Sequence, residues 1–96
     1  MYGTVARMQI KPGKEKDLIA FGERAQNDTP GFVSMKVYKS DAKPGEYFLT
    51  VAFESKEAYE KNAASPEQNA RYEEYRALLD ADPEWHDGEI IASYPE

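Results

Sequence analysis

The chain has 96 residues, a formal net charge of −6, 41% apolar residues and no cysteine. That length makes one domain, 1–96, and an acidic balance with no basic run argues against nucleic acid or an anionic membrane surface as partner. Without cysteine there is no disulfide framework or thiol chemistry, and no apolar run suits a signal peptide or a bilayer span, so a cytoplasmic, soluble domain with no membrane contact is expected.

Residues 2–10 alternate as a strand does, with Thr4, Ala6, Met8 and Ile10 on one face and Gly3, Val5, Arg7 and Gln9 on the other. Lys11-Pro12-Gly13-Lys14 reads as a turn. Residues 14–26 follow as a helix, with Leu18, Phe21, Gly22 and Ala25 along one apolar stripe. Residues 27–31, rich in Asn, Asp, Pro and Gly, break the chain again. Residues 32–39 form a second strand, with Val33, Met35 and Val37 opposite Ser34, Lys36 and Tyr38. Pro44-Gly45 suits the centre of a type II turn, which joins this strand to residues 47–53 as a hairpin. That third strand, YFLTVAF, is dense enough in apolar and β-branched residues to be covered on both faces.

Ser55 reads as the N-cap of a helix that breaks at Ser65-Pro66, where Ser65 caps a second segment and Pro66 takes its first position. Gln68, three residues after Ser65, completes a capping-box pattern. The second segment carries Tyr72, Tyr75, Leu78 and Leu79 on one stripe and ends near residues 80–83. Trp85-His86-Asp87-Gly88 reads as a loop before a last strand at 89–94, where Ile90, Ala92 and Tyr94 share a face.

The order strand, helix, strand, strand, helix, strand predicts an α+β, ferredoxin-like βαββαβ fold: a four-stranded antiparallel sheet with two helices on one face. Two helices cover only that face. The other carries Val5, Tyr38, Phe48 and Ile91, and a second copy of the chain is its simplest cover, giving a homodimer packed sheet to sheet. On that face Arg7 is expected to pair with an acidic group across the dimer.

Three groups of residues also carry a likeness: Lys11-Pro12-Gly13-Lys14-Glu15, Pro30-Gly31-Phe32, and Phe53-Glu54-Ser55-Lys56-Glu57-Ala58-Tyr59 running into Ser65-Pro66. In these the chain resembles the antibiotic biosynthesis monooxygenase domain proteins of the dimeric α/β-barrel superfamily, over nearly its whole length. The resemblance implies a dimeric α/β barrel. It also implies a family that includes cofactor-independent oxygenases of polycyclic phenols and haem-degrading enzymes. In the haem-degrading members a tryptophan on the broken helix and a histidine after the break serve the cofactor. Those positions fall on Asn62 and Tyr72, and a first-strand asparagine of those enzymes falls among Thr4, Ala6 and Arg7. The haem constellation is missing, so the resemblance implies oxygenation of a small aromatic, phenol- or quinol-like molecule without a cofactor.

Residue types narrow the chemistry further. His86 is the only histidine, and no acidic residues sit in a ligand-spaced loop, so no metal is expected. Neither a nucleophile elbow nor a glycine-rich phosphate loop is present. Cofactor-free oxygenation asks a protein to accept a proton, hold an anion with hydrogen-bond donors and keep water out. Along the broken helix Tyr59 and Asn62 are three apart and Tyr72 and Arg76 four apart, so each pair shares a helical face. Tyr72 and Asn62 are the candidates to orient the substrate oxygen. Tyr59 and Trp85 are candidates to contact the substrate, and Arg76 or His86 to offset negative charge. Plainer roles are open to several of these residues and to Tyr75: Tyr72 and Tyr75 as core, Asn62 as partner to backbone freed by Pro66, Trp85 and His86 as anchors of a loop. A second class of function stays open, a non-catalytic homodimeric domain that binds a small ligand or a protein. What separates the classes is whether the rings of Tyr59, Tyr72 and Tyr75 fill the space under the helices.

Overall fold

A computed structural model describes residues 1–25 and 29–94. Its elements are β1 (Tyr2–Gln9), α1 (Glu15–Ala25), β2 (Phe32–Lys39), β3 (Glu46–Phe53), α2 (Lys56–Ala63), α3 (Pro66–Arg76) and β4 (Glu84–Glu89). The strands pair antiparallel in the order β2-β3-β1-β4, so the apolar β1 and β3 take the middle of the sheet. This is the ferredoxin-like α+β architecture. Within one chain the sheet is open, with β2 and β4 at its edges.

The alternation along β1 sorts its side chains as the pattern requires: Thr4, Ala6 and Met8 are buried beneath the helices, and Val5 is exposed on the other face. Registers carry this sorting across the sheet. Leu49 lies opposite Ala6, Val37 opposite Leu49, and Trp85 opposite Ala6 from the other side. The core gathers Ala6, Met8, Ile10, Leu18, Tyr47, Leu49, Tyr75 and Leu79. Gly22 of α1 faces Met35 of β2, where an added Cβ would press only on the flexible end of that side chain.

Three Pro-Gly turns link elements, each closed by a hydrogen bond from the fourth residue to the first: Lys14 N to Lys11 O, Phe32 N to Thr29 O and Glu46 N to Lys43 O. Gly31 and Gly45 have φ of 78° and 84°, the positive value a type II turn demands at its third position. At Gly31 there is also no room, since a Cβ would lie 2.6 Å from that of Ala58.

The helix break falls where Ser65-Pro66 puts it. Ser55 caps α2 by accepting from Ala58 N, and Ser65 caps α3 by accepting from Gln68 N. The capping box is only half made, however. Ser65 N donates to Asn62 O, and the Gln68 side chain turns to Asn62 and Arg71 instead.

Two further expectations need correcting. The last strand is β4, Glu84–Glu89, and it contains Trp85, His86, Asp87 and Gly88; residues 91–94 lie in no strand. Leu79 already bridges Ile10 as the chain leaves α3, so pairing with β1 resumes before the apolar alternation at 90–94 begins. Arg7 pairs within its own chain, with Glu46 on the neighbouring strand at 2.6 Å. Of the expected helix end and break, Gln26, Asn27 and Asp28 lie outside the described residues.

Candidate functional site

The roof over the sheet is thin in apolar side chains. No residue of α2 is fully buried, and α3 buries only Tyr75. Beneath the break in the helix this leaves an open-sided cavity of about 400 Å³ against all four strands. Apolar walls come from Phe21, Met35, Leu49, Val51 and Phe53, together with the rings of Tyr72, Tyr75 and Trp85. The rings fall into two groups. Phe53 stands edge-on to both Phe32 and Tyr59, and Tyr75 contacts Phe21, Tyr72 and Trp85 at centroid distances of 5.6 to 6.3 Å. Tyr75 is core: it is 4% exposed, its hydroxyl donates to Met8 Sδ, and burial pushes its phenol pKa up. Tyr59 and Tyr72 line the space without filling it.

Two polar clusters open into this cavity. At one, Tyr59 donates its hydroxyl to Asp87 Oδ1 at 2.8 Å, and Thr4 faces Asp87 across the β1–β4 ladder. Burial, and then the Asp87 carboxylate, push the Tyr59 phenol up to about 12, so it is a donor at neutral pH. Thr4 is 6% exposed, and its Oγ1 has no hydrogen-bond partner among the described residues. It stands near enough to the Tyr59 oxygen to favour the phenolate slightly, but short of a hydrogen bond.

The second cluster spans the helix break. Asn62 Nδ2 donates to Gln68 Oε1, Arg71 Nε donates to the same oxygen, and an Arg71 terminal nitrogen donates to Asn62 Oδ1, each at 3.3 Å. Those are long, soft contacts, and they use only part of the five N–H donors of a guanidinium.

Of the six residues singled out from the sequence, Tyr59, Asn62, Tyr72 and Trp85 come together in the cavity lining. Arg76 and His86 do not. Arg76 donates to Asp82 and to Leu79 O, outside the lining. His86 sits one residue out of phase with Trp85 and Asp87, opposite Val5 on the far face of the sheet, paired with Glu84. Sequence reasoning missed Thr4, Arg71 and Asp87 as lining groups. Arg71 could have been found from its place one turn before Tyr75 on the apolar stripe of α3. No local signal marks Asp87. Among the described residues no group of three or more His, Cys, Asp or Glu could hold a metal ion, and no helix is long and apolar enough to cross a membrane.

The sequence model of the family described as antibiotic biosynthesis monooxygenase matches residues 1–78. The chain belongs to the antibiotic biosynthesis monooxygenase family. Solved structures agree in fold. SnoaB, a cofactor-independent oxygenase from Streptomyces nogalater solved as an asparagine-to-alanine variant, superposes with a TM-score of 0.80 at 18% identity, covering 99% of this chain and 97% of that one. A protein from Chloroflexus aurantiacus J-10-fl assigned as an antibiotic biosynthesis monooxygenase gives 0.76 at 24% identity, covering 97% and 95%. One so assigned from Deinococcus radiodurans gives 0.78 at 14% identity, covering 100% and 98%. No curated protein sequence matches the chain.

Proposed function

We propose that this member of the family is a cofactor-independent monooxygenase acting on a small aromatic, phenol- or quinol-like substrate bound between the sheet and the broken helix. The observation that carries the reading is the unfilled, aromatic-walled cavity with two polar clusters in its lining. Its volume, about 400 Å³, suits a molecule of two or three fused rings. In such a reaction the substrate supplies the electrons. Once deprotonated, its ring system passes an electron to dioxygen, the two radicals combine as a peroxide at a ring carbon, and loss of water leaves a carbonyl there; a CH₂ and O₂ become C=O and H₂O. The protein's share is to favour the anion and exclude water. Tyr72 and Asn62 would orient the substrate oxygen. Arg71, rather than Arg76 or His86, would offset the negative charge, because it is the cation in the lining.

We also infer that the chain works as a homodimer through the sheet face opposite the helices, completing the dimeric α/β barrel. Val5 and Tyr38 are exposed on that face, and Phe48 is half-buried beside them. Light scattering on the purified protein reads this directly: a monomer at micromolar concentration would sink the dimer.

Oxygen uptake with anthrone and 1,4-naphthoquinol, corrected for their autoxidation, tests the activity. Uptake should rise at least tenfold over the protein-free rate, resist chelators, and fall tenfold or more in Asn62→Ala and Tyr72→Phe. Rates equal to autoxidation, together with no rise in melting temperature on adding either compound, would dismiss the oxygenase.

A further inference from the structure

The polar cluster at Thr4 has a feature that packing does not explain. A buried hydroxyl without a partner costs a folded protein free energy, and valine would fill the same volume without that cost. Thr4 Oγ1 is such an atom, and the residue that carries it is nine-tenths buried and one of those lining the cavity. Its cross-strand neighbour Asp87 also lines the cavity and uses Oδ1 to accept from Tyr59. A carboxylate accepts at both oxygens, so Oδ2 retains acceptor capacity. One buried donor-acceptor and one solvent-exposed acceptor with spare capacity are therefore paired across a single β-ladder step, where side chains of paired residues stand roughly 5 Å apart. A group that both donates and accepts completes such a pair: it gives its proton to Asp87 Oδ2 and receives one from Thr4 Oγ1. A hydroxyl does this, and an ether or a carbonyl does not.

We propose that Thr4 and Asp87 form a hydroxyl-reading subsite, and that the ligand is an aromatic whose ring hydroxyl docks there while a second, conjugated oxygen lies at Asn62 and Arg71. The inference rests on the oxygenase reading for its chemistry, though not for its geometry. Conjugation is what makes the two clusters one device. When the ring O–H breaks, the proton goes to Asp87 Oδ2 and the electron pair stays on the ring. Its charge is then shared with the far oxygen, where the Arg71 guanidinium and the Asn62 amide meet it. A hydroxyaryl ketone or a hydroquinone has this arrangement, and a simple phenol has only half of it.

The test uses 6-hydroxy-1-tetralone and its methyl ether, 6-methoxy-1-tetralone, which share rings and ketone and do not react with oxygen under the conditions of titration calorimetry. The full chain should bind the hydroxy ketone at least tenfold more tightly. Thr4→Val and Asp87→Ala should each shrink that preference below threefold while leaving the methyl ether's affinity within twofold. Thr4→Val should also melt at a higher temperature than the parent, which a Thr4 with a structural role would not do. Equal binding of the two ketones, or a preference that survives both substitutions, would overturn the subsite while leaving the cavity intact. Heat from neither ketone would overturn the subsite and the cavity reading together.

Discussion

The Tyr59 hydroxyl donates to Asp87 Oδ1 across 2.8 Å, so the first half of the broken helix is fastened to the edge strand β4 through a side chain in the cavity lining. Removing the donor leaves that edge held by its backbone ladder with β1 and by the ring contact of Trp85 with Tyr75. Tyr59→Phe should destabilise the protein by about 1 kcal/mol, measured by urea denaturation at pH 7. The pH dependence has a definite sign. Because the folded-state phenol is raised to about 12, it contributes stability that is complete below the ordinary value of 10 and lost as pH rises toward 12. The parent should lose stability more steeply than Tyr59→Phe between pH 10 and 12.

Ser65 makes two bonds with one oxygen, accepting from Gln68 N and donating to Asn62 O. It therefore holds both sides of the break. Ser65→Ala should cost about 1 kcal/mol, as N-cap losses do, while Ser65→Asp should recover most of it. Thermal denaturation of the three proteins checks this. If Ser65→Ala melts with the parent, the cap does not hold the two segments together.

Among the described residues, two carboxyls outside the cavity are held below their ordinary value by their partners. The Tyr47 hydroxyl, then Lys39, hold Glu15 below the ordinary value of 4.5, and the Arg7 guanidinium holds Glu46 below it. A lowered folded-state pKa means stability that is present above about pH 4.5 and lost as pH falls through the folded value. Glu15→Gln and Glu46→Gln should each flatten the fall in stability on acidification from pH 5 to 3, and the double variant more than either.

The turn at Gly31 combines positive φ with a neighbour already at contact distance, Ala58. Gly31→Ala should therefore cost about 2 kcal/mol or more in chemical denaturation. Gly13 also has positive φ but open space around it, so Gly13→Ala should cost about 1 kcal/mol less. Equal losses at the two positions would mean that the Ala58 contact is relieved without strain.

The parts of this fold visible in the sequence are those written in side-chain periodicity or in capping chemistry. β1 alternates, Pro44-Gly45 turns, and Ser65-Pro66 breaks the helix while supplying its own cap. β4 is different. All six of its residues are exposed, and it exists because its backbone pairs with residues 2–7 of β1. The alternation of Ile90, Ala92 and Tyr94 drew the strand five residues too late. That displacement also explains what was missed in the cavity: with 85–88 read as a loop, Asp87 had no assigned face and His86 no reason to be turned away. Arg76 lost its place for a related reason. It shares a face of α3 with Tyr72, yet near the C-terminal end of that helix, where Asp82 and Leu79 O lie within its reach. Arg71 meets Asn62 only because the break brings the two segments face to face, and spacing along one helix cannot report a contact made across a break.

Trp85 is the chain's only tryptophan, and it forms part of the cavity wall. Light at the red edge of protein absorption is therefore taken up at one place in the molecule, beside whatever occupies the space under the helix break. The seven tyrosines, three of them in the same lining, absorb at shorter wavelength and can pass their excitation to that one indole. The protein thus carries its own optical gauge of the cavity. A molecule entering the cavity should change that emission with no label attached, because it would lie against the one indole.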